Sequence, residues 1–299
     1  MGLDLPVTLL VLLAAAMHAG WNALVKVERD RLVAFALING TGTVLGALLV
    51  VVAPPLRAEA WAYLAPSLVL QTAYVGVLML AYRVGDLSQV YPVARGTAPL
   101  GVIPLSLLLE GRVPPPLEVL GVLAVSLGIV SLAWRPGQLR GLAARWGAAP
   151  APSARPGSGG ARAIAYAAGC GLLISGYTVL DSRGVRVGES PMAYGGWLFV
   201  FYGLPWVALA LARRGWQPAR MEARHWMLAL GAGSLCFGAY LAVVWALNRG
   251  AAAPVSALRE TSVIFAALIG TLLLKEPFGA RRVTASALVA LGVVLIRLG

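Results

Sequence analysis

Tyr91-Pro92-Val93-Ala94-Arg95-Gly96-Thr97-Ala98-Pro99 and Leu258-Arg259-Glu260-Thr261-Ser262 are the two stretches on which the fold turns. Each lies inside a long apolar segment, and both carry Arg-x-Thr, with the arginines 164 residues apart. Leu127-Gly128-Ile129-Val130 returns as Leu291-Gly292-Val293-Val294 at the same offset, Gly85 matches Gly250 at 165, and Glu110 matches Glu276 at 166. Arginine is rare inside apolar helices, so its recurrence in register marks two similar halves.

Working outward, hydrophobic residues make up 59% of the 299-residue chain and charged residues 12%, against roughly 45–50% and 25% in a soluble domain. A membrane span needs about 20 mainly apolar residues. That length places helices at 5–25, 32–53, 61–82, 87–109, 116–134, 162–181, 191–212, 225–248, 252–274 and 279–297. Continuous apolar runs instead of short alternating strands exclude a barrel. The expected fold is all-α integral membrane, ten transmembrane helices arranged as two inverted five-helix repeats. Residues 135–161, rich in Gly, Pro, Ala and Arg, read as a flexible linker between a first repeat at 1–134 and a second at 162–299. Five spans per half force the second copy to enter the membrane upside down, the arrangement that supports alternating access in carriers.

A net charge of +12 does not indicate nucleic acid, because the basic residues cluster between apolar stretches. Counting the helix-end residues Arg162, Arg281, Arg282 and Arg297 with the connections and terminus they adjoin, the odd-numbered connections hold 16 of the 24 Lys and Arg residues, while the even connections and termini hold 6. That bias puts the odd connections in the cytoplasm and both termini outside a bacterial inner membrane. The first apolar segment follows Asp4 with no Lys or Arg ahead of it and reads as a retained helix, not a cleaved signal. Cys170 and Cys236 lie within apolar segments as small hydrophobes. No cofactor or metal site is expected from two histidines and these two cysteines, and no phosphate loop, HExxH or GxSxG arrangement is present.

Functional candidates concentrate in a few spans. His18, Asn22 and Lys26 share one stripe of the first helix, flanked by Trp21. Pro92, Pro99 and Pro104 should kink or break the fourth helix, whose irregular backbone would then line a wet pathway. Arg95, about eight residues in and roughly 12 Å deep, Arg259 and Glu260 would together cost on the order of 10 kcal/mol if unpaired in lipid. Glu260 is therefore expected to pair with Arg95 or Arg259. Three charges leave one positive charge that an anionic substrate group balances. Tyr91, Thr97 and Thr261 flank these arginines, and Tyr74, Tyr177 and Trp245 are aromatic candidates for the same cavity. Tyr82 and Tyr240 lie in the same spans. Asp181 and Asn248 close helices six and eight, and Gly42-x-x-x-Gly46 is a packing signal. Glu260 is then the one carboxylate well inside a helix, and an arginine beside it opposes the protonation that proton coupling needs, leaving facilitated diffusion or exchange open.

His18-Ala19-Gly20-Trp21-Asn22-Ala23, the helix ends Leu108-Leu109-Glu110 and Lys275-Glu276-Pro277, and the glycine-bearing last helix of each half resemble the drug/metabolite transporter superfamily, EamA type. His18-x-x-Trp21-Asn22 with Tyr91-Pro92-Val93-Ala94-Arg95 also resembles a branch associated with phosphonate utilisation. The resemblance implies a central cavity lined by helices one, three, four, six, eight and nine, and secondary transport of amino acids or related metabolites. The alternatives are a membrane-embedded enzyme on a lipid-linked substrate and a non-transporting scaffold. Expected partners are a small-molecule substrate and the lipid bilayer, with no nucleic acid; a homodimer is left open.

Overall fold

The computed structural model describes residues 3–25, 31–133, 160–215, 222–274 and 280–299. Lys26, most of the 135–161 linker and Lys275-Glu276-Pro277 lie outside the described residues. Every described element is helical: α1 Leu5–Val25, α2 Arg31–Val52, a 3₁₀ turn Ala58–Ala60, α3 Trp61–Val84, α4 Leu87–Glu110, α5 Pro116–Ser131, α6 Gly160–Gly188, α7 Pro191–Arg214, α8 Ala223–Arg249, α9 Ala252–Arg259, α10 Ser262–Leu274 and α11 Ala280–Leu298. The last two before α11 divide one expected span between them. Eight of the described helical stretches are long and apolar enough to cross a membrane, and α5 is a shorter apolar helix. The chain is an all-α integral membrane protein.

The outer surface is apolar because it faces lipid. Leu5, Leu9 and Leu13 recur along one face of α1, and Leu48, Leu108, Leu127 and Leu291 are likewise exposed. In lipid, burial of hydrocarbon does not drive helices together, so close van der Waals contact must. Small residues supply it. A Cβ on Gly46 of α2 would lie 2.7 Å from the Gly196 carbonyl oxygen of α7, and one on Gly121 of α5 would lie 2.7 Å from that of Gly292 in α11.

The packing partners form a pattern. α2 packs on α7, α5 on α11, α3 on α6, α1 on α8, α4 on α6, and α1 on α9 and α10. Exchanging each span for the one five places along maps these contacts onto one another: α3 with α6 becomes α8 with α1, and α4 with α6 becomes the ninth span with α1, whereas the packing of α2 on α8 and of α4 on α5 has only weak counterparts among the described residues.

Two expectations about helix regularity are corrected. α4 is one unbroken helix despite Pro92, Pro99 and Pro104. It is held on both sides: Gly96 sits against Ser126 and Val130 of α5, Gly101 against Ser175 of α6, and Thr97 against Gly171 of α6. The interruption falls in the ninth span, at Glu260 and Thr261. There Glu260 N–H reaches back to Ala257 (3.1 Å), Thr261 N–H to Leu258 (3.1 Å) and Val263 N–H to Glu260 (3.2 Å). Such three-residue reach is 3₁₀ geometry, a mid-helix tightening.

Helix six also runs further than its sequence suggested, to Gly188. The polar run Asp181-Ser182-Arg183-Gly184-Val185-Arg186 resembles a helix end. In the bundle its groups are satisfied by neighbouring helices, so the turn continues. Arg183 donates to the Leu109 carbonyl, and Arg186 donates to those of Leu247 (3.1 Å) and Gly250 (2.6 Å). Carbonyls at the last turn of a helix lack intrahelical partners, and a cation is favoured there.

Candidate functional site

Arg95 projects from the third turn of α4 into the bundle, only 5% exposed. Its Nε lies 3.0 Å from Glu260 Oε2, and its terminal nitrogen lies 2.8 Å from His18 Nε2. Arg259 comes from the last turn of α9 and donates to Glu260 Oε1 from Nε (3.3 Å) and from a terminal nitrogen (3.2 Å). Glu260, wholly buried, thus stands between both arginines with one oxygen for each. The 3₁₀ tightening falls at Glu260 and Thr261, so Glu260 stands at the interruption itself, directly after Arg259. Each guanidinium also has an aromatic ring nearby, Tyr91 at 5.5 Å for Arg95 and Tyr177 at 5.9 Å for Arg259.

His18 has its proton position fixed by this arrangement. A guanidinium only donates, so Nε2 accepts and the hydrogen of the neutral ring sits on Nδ1. The Trp21 indole N–H approaches that same Nδ1 at 3.3 Å. Two hydrogens cannot share the contact, so the pair is an edge-to-face packing interaction, with ring centroids 5.2 Å apart at 85°. Asn22 spends its amide hydrogen on the His18 carbonyl at 2.8 Å.

These residues border a cavity of about 290 Å³, at the lower edge of the range for small-molecule sites. His18, Trp21, Asn22, Tyr74, Tyr91, Arg95, Tyr177 and Arg259 all line it, together with Tyr82 and Tyr240. Lining residues extend from the middle of the bundle to the ends where the odd-numbered connections leave: Ala14 to Asn22 on α1, Gln71 to Tyr82 on α3, Tyr91 and Arg95 on α4. The opposite end is closed by Arg186 with Glu110 at 3.6 Å and by the guanidinium-to-carbonyl bonds of α6. The cavity is therefore one-sided.

Four sequence candidates do not reach it. Glu260 is behind the arginines. Thr97 bonds the Val93 carbonyl of its own helix at 2.8 Å, and Thr261 bonds that of Leu258 at 2.7 Å. Trp245 lies under Arg249, 4.3 Å from its guanidinium, away from the cavity. Sequence reasoning passed over Phe35, Asn39, Gln71, Phe199 and Tyr202, which do line it. A helical-wheel reading of α2 and α3 against the known depth of Arg95 would have found Asn39 and Gln71; the aromatics carry no such signal.

The charge count also changes. Asp181 lies seven residues inside α6, fully buried, and accepts hydrogen bonds from Ser67 (2.5 Å), Tyr194 (2.9 Å) and Tyr240 (2.5 Å). Glu260 is not the sole intramembrane carboxylate. With Asp181 charged, two arginines are balanced by two carboxylates. Neither carboxylate lines the cavity, whereas both guanidiniums do, so the wall facing the cavity is positive even where the sum is zero. No cluster of three or more His, Cys, Asp or Glu suited to a metal occurs among the described residues.

A many-span helical bundle with a one-sided polar cavity at mid-depth defines a class, the multi-pass membrane transporters of small solutes. Residues 161–298 match the EamA-like transporter family. The EamA-type resemblance read from the sequence is borne out. A solved structure titled "Crystal structure of protein" shares the fold with a TM-score of 0.73 at 17% identity, covering 98% of this chain and 96% of that one. No curated protein matches.

Proposed function

We propose that the protein is a secondary transporter that carries a small organic anion or zwitterion, of the amino acid or phosphonate kind, by alternating access through the central cavity. One observation carries this reading: Arg95 and Arg259 both line the cavity while their shared carboxylate stands behind them. Glu260 holds the guanidiniums in place through one face, and their remaining N–H groups point at the space a carboxylate or phosphonate would fill. Planar, bidentate donation to such groups is what arginine does best. The tyrosine-rich walls suit the apolar part of a small metabolite.

The self-mapping packing pattern supports two inverted repeats, 1–134 and 162–299, joined by 135–161. Rocking one repeat against the other would open the end now sealed by Arg186 and Glu110 and close the end lined by Trp21, Tyr82 and Tyr91. With the odd connections in the cytoplasm of a bacterial inner membrane, the structure is the inward-facing member of that pair. Transport is the role this reading assigns, since the site presents the charge and shape to hold a small anion.

Proteoliposomes loaded with a panel of amino acids, organic anions and phosphonates test this. Exchange or efflux of a panel member that is at least tenfold faster than in protein-free vesicles, and that is lost in Arg95→Ala, is the expected result. Lipid modification in place of solute movement would contradict it.

A further inference from the structure

Asp181 has a use that anion carriage alone does not explain. Glu260 is held by two arginines, but every group hydrogen-bonded to Asp181 is a hydroxyl, each from a different helix: Ser67 of α3 and Tyr194 of α7 on Oδ1, Tyr240 of α8 on Oδ2. Among the described residues it forms no ion pair. Its surroundings are otherwise accounted for. Gln71 of α3 bonds Ser67 at 3.1 Å, the charge of Arg259 reaches it from α9, and Glu110 of α4 takes Ser182 at 3.3 Å and Arg186 at 3.6 Å one turn away. Arg183 and Arg186 of its own helix turn to backbone carbonyls. Removal from water works against the charge on Asp181, and three O–H donors work for it.

We propose that Asp181 is a proton-binding site coupled to the cavity, and that a proton there and an anionic substrate bind in partnership and loosen the sealed end. The proposal rests on the transport reading above. Its chemistry follows from hydrogen bonding. A carboxylate accepts all three hydroxyls, whereas a carboxylic acid must donate one hydrogen. When Oδ2 carries the proton, Tyr240 has to turn its own hydrogen away and accept from Oδ2–H instead, so the charge-assisted tie between α6 and α8 is exchanged for a weaker neutral one and that turn of α6 is freer to move. Tyr240 borders the cavity, so the route is short: its hydroxyl passes its hydrogen to Oδ2 while accepting one from a hydronium ion in the cavity, which is left as water, and the tyrosine ends neutral. The released turn of α6 continues directly into Ser182, Arg183 and Arg186, which make the seal. Protonation also leaves the arginines one positive charge in excess, which an anion in the cavity completes. Each ligand thereby favours the other, as linkage requires. Co-transport of one proton per anionic charge is the consequence.

The test uses protons and a thiol reagent and no transported solute, so it fails or succeeds independently of the carrier assignment. Full-length protein is titrated by infrared difference spectroscopy for the C=O stretch of a protonated carboxyl group. A titrating band that vanishes in Asp181→Asn and returns, shifted, in Asp181→Glu is expected; a band unchanged in Asp181→Asn overturns the proposal. Coupling is read on Cys236, which lines the cavity, in a Cys170→Ser background. Sealed vesicles are treated with a membrane-impermeant maleimide on the side of the odd-numbered connections. The ratio of the native alkylation rate to that of Asp181→Asn cancels the pH dependence of thiol chemistry. That ratio should be on the order of tenfold at the alkaline end and fall to one as pH drops through the carboxyl titration. A ratio that does not vary with pH overturns the coupling.

Discussion

The fourth and ninth spans carry the same Arg-x-Thr at the same depth, yet α4 is continuous through three prolines and the ninth span is interrupted with one. Proline removes a donor and crowds the preceding turn, but the loss is tolerable where neighbouring helices clamp the backbone. α4 has that clamp in Gly96, Thr97 and Gly101 against α5 and α6. The ninth span is interrupted where a carboxylate must face two guanidiniums at once. The comparison teaches that, at mid-membrane, placing charge deforms a helix more than a missing N–H does.

The largest effect should come from removing the group that shapes the interruption. Glu260→Ala leaves Arg95 and Arg259 buried together with no counter-charge, and loss of one partner of a buried pair costs about 3–5 kcal/mol. Thermal unfolding of the detergent-solubilised protein should fall sharply, and fall less in Glu260→Asp.

Next, the two arginines should differ. Arg95 ties α4 to both Glu260 and His18, whereas among the described residues Arg259 has only its sequence neighbour as an ion partner. Arg95→Ala is expected to slow transport on the order of 100-fold, about 2.7 kcal/mol, and Arg259→Ala about tenfold. Equal losses would show that the asymmetry has no energetic weight.

A smaller, structural effect tests the clamp. A Cβ at Gly171 would collide with Thr97 and the Ala94 carbonyl, so Gly171→Ala should destabilise by about 1–3 kcal/mol, the usual cost of overpacking. Adding Thr97→Ala should recover part of it, as a double-mutant cycle on thermal stability would read.

Least of all, Thr97→Val and Thr261→Val each remove only a hydroxyl bonded within its own helix. Transport should stay within about threefold of native.

What was legible in the sequence follows the same physics. Arginine in an apolar helix is costly and therefore informative, so Arg95, Arg259, Glu260 and the ten spans could be read directly. Asp181 was misplaced because its cost is met by Ser67, Tyr194 and Tyr240 on three other helices, and nothing near it in sequence announces them. The continuity of α4 was likewise hidden, since Gly171, lodged against Thr97, is distant in the chain. Thr97, Thr261 and Trp245 looked functional by proximity along the sequence, yet helical rotation turns them away from the cavity.

The central claim is that the arginine-lined wall of a one-sided cavity recognises negative charge. Thermal stabilisation of purified protein by pairs of compounds that differ only in a carboxylate or phosphonate versus its neutral amide or ester measures it directly. The account predicts that a charged member raises the unfolding temperature of the native protein and of Thr97→Val, while its neutral partner does not, and that the shift disappears in Arg95→Ala. Equal stabilisation by charged and neutral partners, or a full shift retained by a folded Arg95→Ala protein, would contradict it.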